Sequence, residues 1–197
     1  MTADIKATPE RRPARPATLP GDRRGKSKAG RMIRVDQAGE LGAQEIYRGQ
    51  MAVLGGRPCA PLLAEMAAQE AEHLAAFDKL VTARAVRPTA LAPVWRVAGF
   101  ALGVGSALLS ERAAMATTVA VEDVIEGHYQ KQLNTLDENE ADLRALIAEF
   151  RDDELRHRDS AQEFNNKHDH KDGPAHEILS RSVKAGARLA IWLAERI

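Results

Sequence analysis

Two Glu-x-x-His pairs constrain this chain more than anything else in it: Glu70 and His73 in "QEAEHLAAF", and Glu154 and His157 in "FRDDELRHRD". A spacing of three stacks carboxylate and imidazole on one face of a helix. That face is otherwise apolar, with Leu63, Met66, Leu74 and Phe77 at helical spacing from Glu70, and Ile147, Phe150 and Ala161 from Glu154. A single pair is a weak signal in a glutamate-rich chain. Two pairs, each on an apolar stripe, raise the question of what buried positive charge they serve.

Apolar residues recur with the helical period from about Met32 to Leu54, Leu62 to Ala85, Val94 to Leu136, Ala141 to Asn165 and Ala175 to Ile197. The stretches "GGRPCAP", "RPTALAP", "DENEAD" and "NNKHDHKDGP" interrupt the pattern with the residues that stop helices. No run alternates with period two, and aromatics are only 4%. Short connections at 55–61 and 137–140 predict two antiparallel hairpins, joined by the longer link at 86–93. The expected fold is all-α, a four-helix bundle with an additional C-terminal amphipathic helix. A chain of 197 residues suits one such domain.

An antiparallel hairpin sets residues equidistant from its turn at the same height. Reflecting Glu70 through the first turn, centred near residue 55, lands on Glu40 of "DQAGELGAQE". Reflecting Glu154 through the second, centred near residue 138, lands on Glu122 of "VAVEDVIEGHY". Glu40 is flanked by Ile33, Ala43 and Tyr47, and Glu122 by Met115, Val119, Ile125 and Tyr129, so both interrupt apolar stripes too. Four carboxylates in a bundle core must be protonated, paired or bound to cations. Two divalent ions balance their charge and leave two neutral imidazoles as further ligands. One imidazole per ion in an oxygen-rich set suits iron or manganese rather than a thiolate-seeking metal. The pattern resembles the ferritin-like carboxylate di-iron and di-manganese bundles.

Around this core, Asp36 and Asp153 are candidates to accept the outer N–H of the ligand imidazoles. Tyr129 is a candidate for the cavity wall, and His128 fits either that wall or a satisfied core position. Glu45, Glu65, Glu72 and Glu126 have no mirror partners and read as surface charge. Lone Cys59 excludes an intramolecular disulfide and any cysteine-pair site for zinc or an iron–sulfur cluster.

The net charge is zero, yet residues 1–31 carry nine Lys/Arg against Asp4, Glu10 and Asp22. That stretch is rich in Pro and Gly and nearly free of large apolar residues, so a disordered basic tail is expected there, with residues 32–197 as the folded domain. It has neither the apolar core of a secretory signal nor, given its prolines, an amphipathic transit helix.

Residues 97–110, "VAGFALGVGSALLS", are uncharged but too short for an ordinary spanning helix of about 20 residues. Gly99, Gly103 and Gly105 add little core volume, and Trp95 and Arg96 sit at the edge as interfacial anchors do. The last helix carries Arg181, Lys184, Arg188 and Arg196 beside a leucine-rich face and Trp192. The two segments together predict monotopic attachment to a bilayer, with core packing as the alternative.

The segments "IRVDQAGELGAQEIYRGQMAVL", "QEAEHLAAF", "TVAVEDVIEGHYQ", "FRDDELRHRD" and "AGARLAIWLAERI" resemble, in order, those of the demethoxyubiquinone hydroxylases of ubiquinone biosynthesis. The resemblance covers about residues 32–197. It implies a ferritin-like di-iron hydroxylase domain with two Fe ions, whose ligands and catalytic residues are Glu40, Glu70, His73, Glu122, Glu154 and His157. Asp123 and Asp153 depart from it where relatives often carry Glu, and Trp192 where some carry Tyr. The implied enzyme is a peripheral membrane monooxygenase acting on a polyprenylated demethoxyubiquinol with O2. The expected location is the cytoplasmic face of a bacterial inner membrane. A lipid surface is an expected partner, as is a second copy or another ubiquinone-biosynthesis protein; nucleic acid is not, and the electron donor is left open. A ferroxidase or peroxidase on the same bundle and a non-enzymatic membrane scaffold are the competing readings.

Overall fold

The computed structural model describes residues 28–167 and 174–197. The expected tail up to residue 27, and His168 and His170, whose setting among Lys and Asp in "NNKHDHKDGP" reads as solvated, lie outside them. The described residues form α1 (Lys28–Leu54), α2 (Ala60–Ala83), α3 (Ala92–Leu109), α4 (Glu111–Leu133), α5 (Ala141–Lys167) and α6 (Pro174–Ala194), with a 3-10 turn at Glu138–Glu140 and no strand. Residues 28–31, assigned above to the tail, are the first turn of α1.

The stretch from Val94 to Leu136 is two helices rather than one. Ser110 takes up extended backbone (φ 179°, ψ 164°), and its hydroxyl accepts the Ala113 amide at 3.0 Å. It thereby caps a fresh helix whose first residue, Glu111, suits the positive helix start. The adjacent hydroxyl and carboxylate in "LLSERAA" are a legible cap that apolar periodicity masks.

The bundle consists of the hairpins α1/α2 and α4/α5. Its core falls into two apolar clusters, one containing Ile33, Phe77, Ile125 and Phe150, the other Tyr47, Leu63, Met115 and Ala161. Each cluster draws on all four helices, and on every helix the two residues just named lie on opposite sides of the glutamate picked out by reflection. A charged layer is thus closed above and below by apolar side chains.

The outer helices cover the bundle. α3 lies on α1 at a distance that only glycine permits: a Cβ at Gly103 would run into the Ile46 carbonyl and stand 3.0 Å from the Gln50 nitrogen. A Cβ at Gly99 would meet the Gly42 oxygen at 2.7 Å. Gly103→Val must therefore force the helices apart. The expected outcome is a loss of about 1–3 kcal/mol in urea unfolding; an unchanged midpoint would contradict the close approach. This packing also corrects the reading of Glu45, which is buried rather than on the surface. Gly99 faces its stem, and Arg48 pairs with its carboxylate at 2.8 Å. Glu65 and Glu72 are exposed as expected, and Glu126 is half-buried. α6 lies along α4, where Lys184 donates to Asp123 at 2.7 Å. Cys59 is buried at the start of α2, its thiol pushed up to about 12 by burial and the neighbouring Glu111, so it stays unreactive.

Candidate metal centre

All six residues picked out by reflection converge. Glu40, Glu70, Glu122 and Glu154 are each 0% exposed, and His73 and His157 each 3%. They form two sets of four, each with its ligand atoms within 4.8 Å of one another: Glu40, Glu70, His73 and Glu154 in one, Glu70, Glu122, Glu154 and His157 in the other. Glu70 and Glu154 belong to both. The His73 Nδ1 lies 3.4 Å from Glu154 and 3.7 Å from Glu40. The His157 Nδ1 lies 3.1 Å from Glu70 and 3.7 Å from Glu154.

The donor atoms fit metal ions better than they fit one another. Both oxygens of Glu70 and of Glu154, one oxygen each of Glu40 and Glu122, and both Nδ1 atoms are buried without a hydrogen-bond partner. Orphaned polar atoms on this scale are costly unless a cation satisfies them. Each could form a coordinate bond to an ion seated among them. Carboxylates with a single imidazole per set suit a hard or borderline divalent metal.

The outward atoms, by contrast, are satisfied in a two-fold pattern. Tyr47, two turns beyond Glu40 on α1, donates to Glu122 of α4 at 2.6 Å. Tyr129, two turns beyond Glu122, donates back to Glu40. The outer Nε2 of His73 meets Asp153 at 3.1 Å, and that of His157 meets Gln69 at 2.6 Å. With Nε2–H donating outward, Nδ1 turns its lone pair toward the centre. Asp153 thus takes its expected place and Tyr129 touches the cluster. Asp36 does not serve a ligand imidazole; it accepts from Gln132 at 2.6 Å and lies 3.5 Å from His128, which is outside the cluster. Tyr47 and Gln69 had no assigned role in the sequence reading. Gln69 precedes Glu70 as Asp153 precedes Glu154, so its place in the motif is equivalent.

Without metal the cluster holds on to protons. Burial, then the charge of Glu154, pushes Glu70 and Glu122 well above the usual carboxylate range, and burial raises Glu154 itself. Burial also opposes a charge on His73, but Glu154 and Glu40 outweigh it and raise the imidazole to about 9. Burial would raise Glu40 as well; contacts with His73 and Glu70 and the Tyr129 hydroxyl bring it below its ordinary value. Burial lowers His157. Groups raised on folding bind protons more tightly in the folded chain, so their stabilisation is lost as pH rises through the folded value. Between the ordinary value of 6.5 and about 9 for His73, the metal-free protein should therefore lose stability. Metal requires deprotonated ligands, so added metal should remove or reverse that fall. Calorimetry with chelator and with metal checks this; a metal-free protein whose Tm stays level across that window would contradict it.

Fold and site define a class: an all-helical bundle with a buried cluster of four carboxylates and two imidazoles able to hold metal. The model of the family described as ubiquinone biosynthesis protein COQ7 matches residues 27–194, and the chain belongs to that family. A 3-demethoxyubiquinol 3-hydroxylase of Rhodospirillum rubrum is 52% identical over 180 residues, 91% of this chain and 83% of the relative. The human mitochondrial NADPH-dependent 3-demethoxyubiquinone 3-hydroxylase is 48% identical over 171 residues, 85% of this chain and 77% of the relative. The mitochondrial 5-demethoxyubiquinone hydroxylase of Saccharomyces cerevisiae is 44% identical over 184 residues, with the same two shares.

Proposed function

We propose that this protein is a di-iron monooxygenase that hydroxylates the ring of a polyprenylated demethoxyubiquinol, using O2, at a membrane surface. The observation that carries the reading is the six-residue cluster, dry and with its donor atoms turned inward, in a chain whose named relatives are hydroxylases of this substrate class. Glu40, Glu70, His73 and Glu154 would hold one iron, and Glu70, Glu122, Glu154 and His157 the other. When bound, reduced iron supplies the activation of O2; overall, one oxygen atom replaces a ring hydrogen as hydroxyl and the other leaves as water, with two electrons and two protons from a donor.

The chain's own residues do the rest. Tyr47 and Tyr129 hold Glu122 and Glu40 in orientation from opposite sides. Phe77, Phe150, Leu63 and Met66, all buried, keep bulk water from the cluster. A cavity of about 420 Å³ opens between α1, α3, α4 and α6, with Ala43, Ile46, Val121 and Ile125 on its bundle side and Trp95 and Ile191 among its outer residues. Ala43 is one turn from Glu40 and Val121 adjoins Glu122, so an apolar molecule entering between the outer helices comes to the edge of the cluster.

The outer helices also favour lipid. α3 is long and apolar enough by composition to cross a membrane, but it packs along α1 and only 22% of it is buried. Val97, Leu108 and Leu109 on α3, and Ile178, Leu189 and Trp192 on α6, are exposed. Exposed apolar side chains on both outer helices, with Arg196 stacked on Trp192 at 4.1 Å, fit an interface-lying protein. A position at the cytoplasmic face of a bacterial inner membrane belongs to the same proposal.

The test incubates iron-loaded protein with demethoxyubiquinol, O2 and NADPH or a chemical reductant, and looks for product about 16 mass units heavier. Label from ¹⁸O2 should enter the product. Two bound irons with no hydroxylated quinol would overturn the reading in favour of a ferroxidase or peroxidase. Absence of bound metal would favour a scaffold.

A further inference from the structure

The site is two-fold in its ligands but not behind them. Reflection through the hairpin turns pairs Glu40 with Glu70 and Glu122 with Glu154, and the tyrosine braces cross from Tyr47 to Glu122 and from Tyr129 to Glu40. The residue before the glutamate of each Glu-x-x-His pair accepts from the histidine of the other pair. At His73 that acceptor is the Asp153 carboxylate, at 3.1 Å; at His157 it is the Gln69 amide oxygen, at 2.6 Å. Of all these correspondences, this one alone changes chemistry, replacing a full negative charge with a neutral dipole.

We propose that the two metal positions are unequal, the one at His73 holding its ion more tightly than the one at His157, because Asp153 backs the first imidazole and Gln69 the second. A carboxylate on the outer N–H draws the proton outward and raises electron density on the inner nitrogen, strengthening its bond to a cation. An amide oxygen orients the ring equally well but contributes little charge. Arg156 does not cancel the difference: it pairs with the other oxygen of Asp153, leaving Oδ2 to His73, and its own side chain is 64% exposed, where solvent screens it. Asp153 itself is only 9% exposed. The two residues are positioning residues, acting on the ions through the imidazoles.

The inference rests on the di-metal reading above, and its test separates the two. Metal-free full-length protein is titrated anaerobically with Co²⁺, followed by calorimetry and by the visible absorption of the bound ion. Wild-type protein should take up two ions in two resolved steps. Asp153→Asn should weaken the tighter step by roughly 10- to 100-fold and leave the weaker one in place. Gln69→Glu should strengthen the weaker step by a comparable factor, a gain that damage to the fold would not produce. Two ions bound in one unresolved step, or a split that Gln69→Glu leaves unchanged, would overturn the inequality while leaving the di-metal site standing. A protein that binds no ion would overturn both.

Discussion

Glu154→Leu is expected to abolish hydroxylation, by about a thousand-fold or more, and at the same time to raise the melting temperature of the metal-free protein. Glu154 belongs to both four-residue sets, so its loss removes a ligand from each position and should leave the purified protein with little iron. In the metal-free protein, however, both its oxygens are buried without a hydrogen bond, the His73 Nδ1 standing 3.4 Å from one of them, and its charge pushes up Glu70 and Glu122. Leucine fills nearly the same volume without charge. Relief of that crowding among buried carboxylates outweighs the lost His73 contact and should stabilise by about 0.5–2 kcal/mol, which in a chain of this size raises Tm by roughly 2–4 °C per kcal/mol. Calorimetry on metal-free proteins and iron analysis on loaded ones check the two halves. A variant that is inactive and also less stable without metal would show that the carboxylate cluster is a structural network, not a site held ready for ions. Opposite signs for activity and stability are the mark of a functional centre built at the expense of the fold.

Leu108→Asp combined with Leu189→Asp should release the protein from vesicles while leaving the metal centre intact. The two side chains are 70% and 56% exposed, on α3 and α6, so neither change disturbs the core. Each leucine buried in the bilayer interface contributes on the order of 1.5–3 kcal/mol, and an aspartate there is actively unfavourable. Partitioning onto liposomes should fall at least about 100-fold in a flotation assay. Iron content should be unchanged, and turnover of a short-chain, water-soluble quinol should persist. Deleting α6 outright would be a poorer test, because Val183 and Ala194 belong to the core. Unchanged flotation of the double variant would refute a lipid role for this surface.

The six cluster residues were legible in the sequence because the information that places them is local. Helix phase is set by the 3.6-residue period, and height within a hairpin by distance from the turn. Both can be read along one strand of text, and Glu40, Glu70, Glu122 and Glu154 came together in the structure with their histidines as reflection required. The acceptor Asp153 followed from the same reading. Gln69 did not, since an amide lacks the charge that draws attention to a buried carboxylate, even though its position in the motif is equivalent.

What the sequence by itself determined is therefore the helical class, the two hairpins and the six residues that meet in the cluster, all consequences of periodicity and turn spacing. Tertiary structure alone decided which helix covers which face. The apolar run around Gly99 and Gly103 could be read for its composition, but not for its seat on α1, because close approach depends on what the opposite backbone offers. That seat buries Glu45, which no local pattern distinguishes from a surface glutamate. Likewise Asp36 stands one turn from Glu40 in sequence, yet its side chain is drawn to Gln132 and His128. A hydrogen-bond partner is chosen by distance and direction in three dimensions, and helical spacing specifies only the side from which a group can reach.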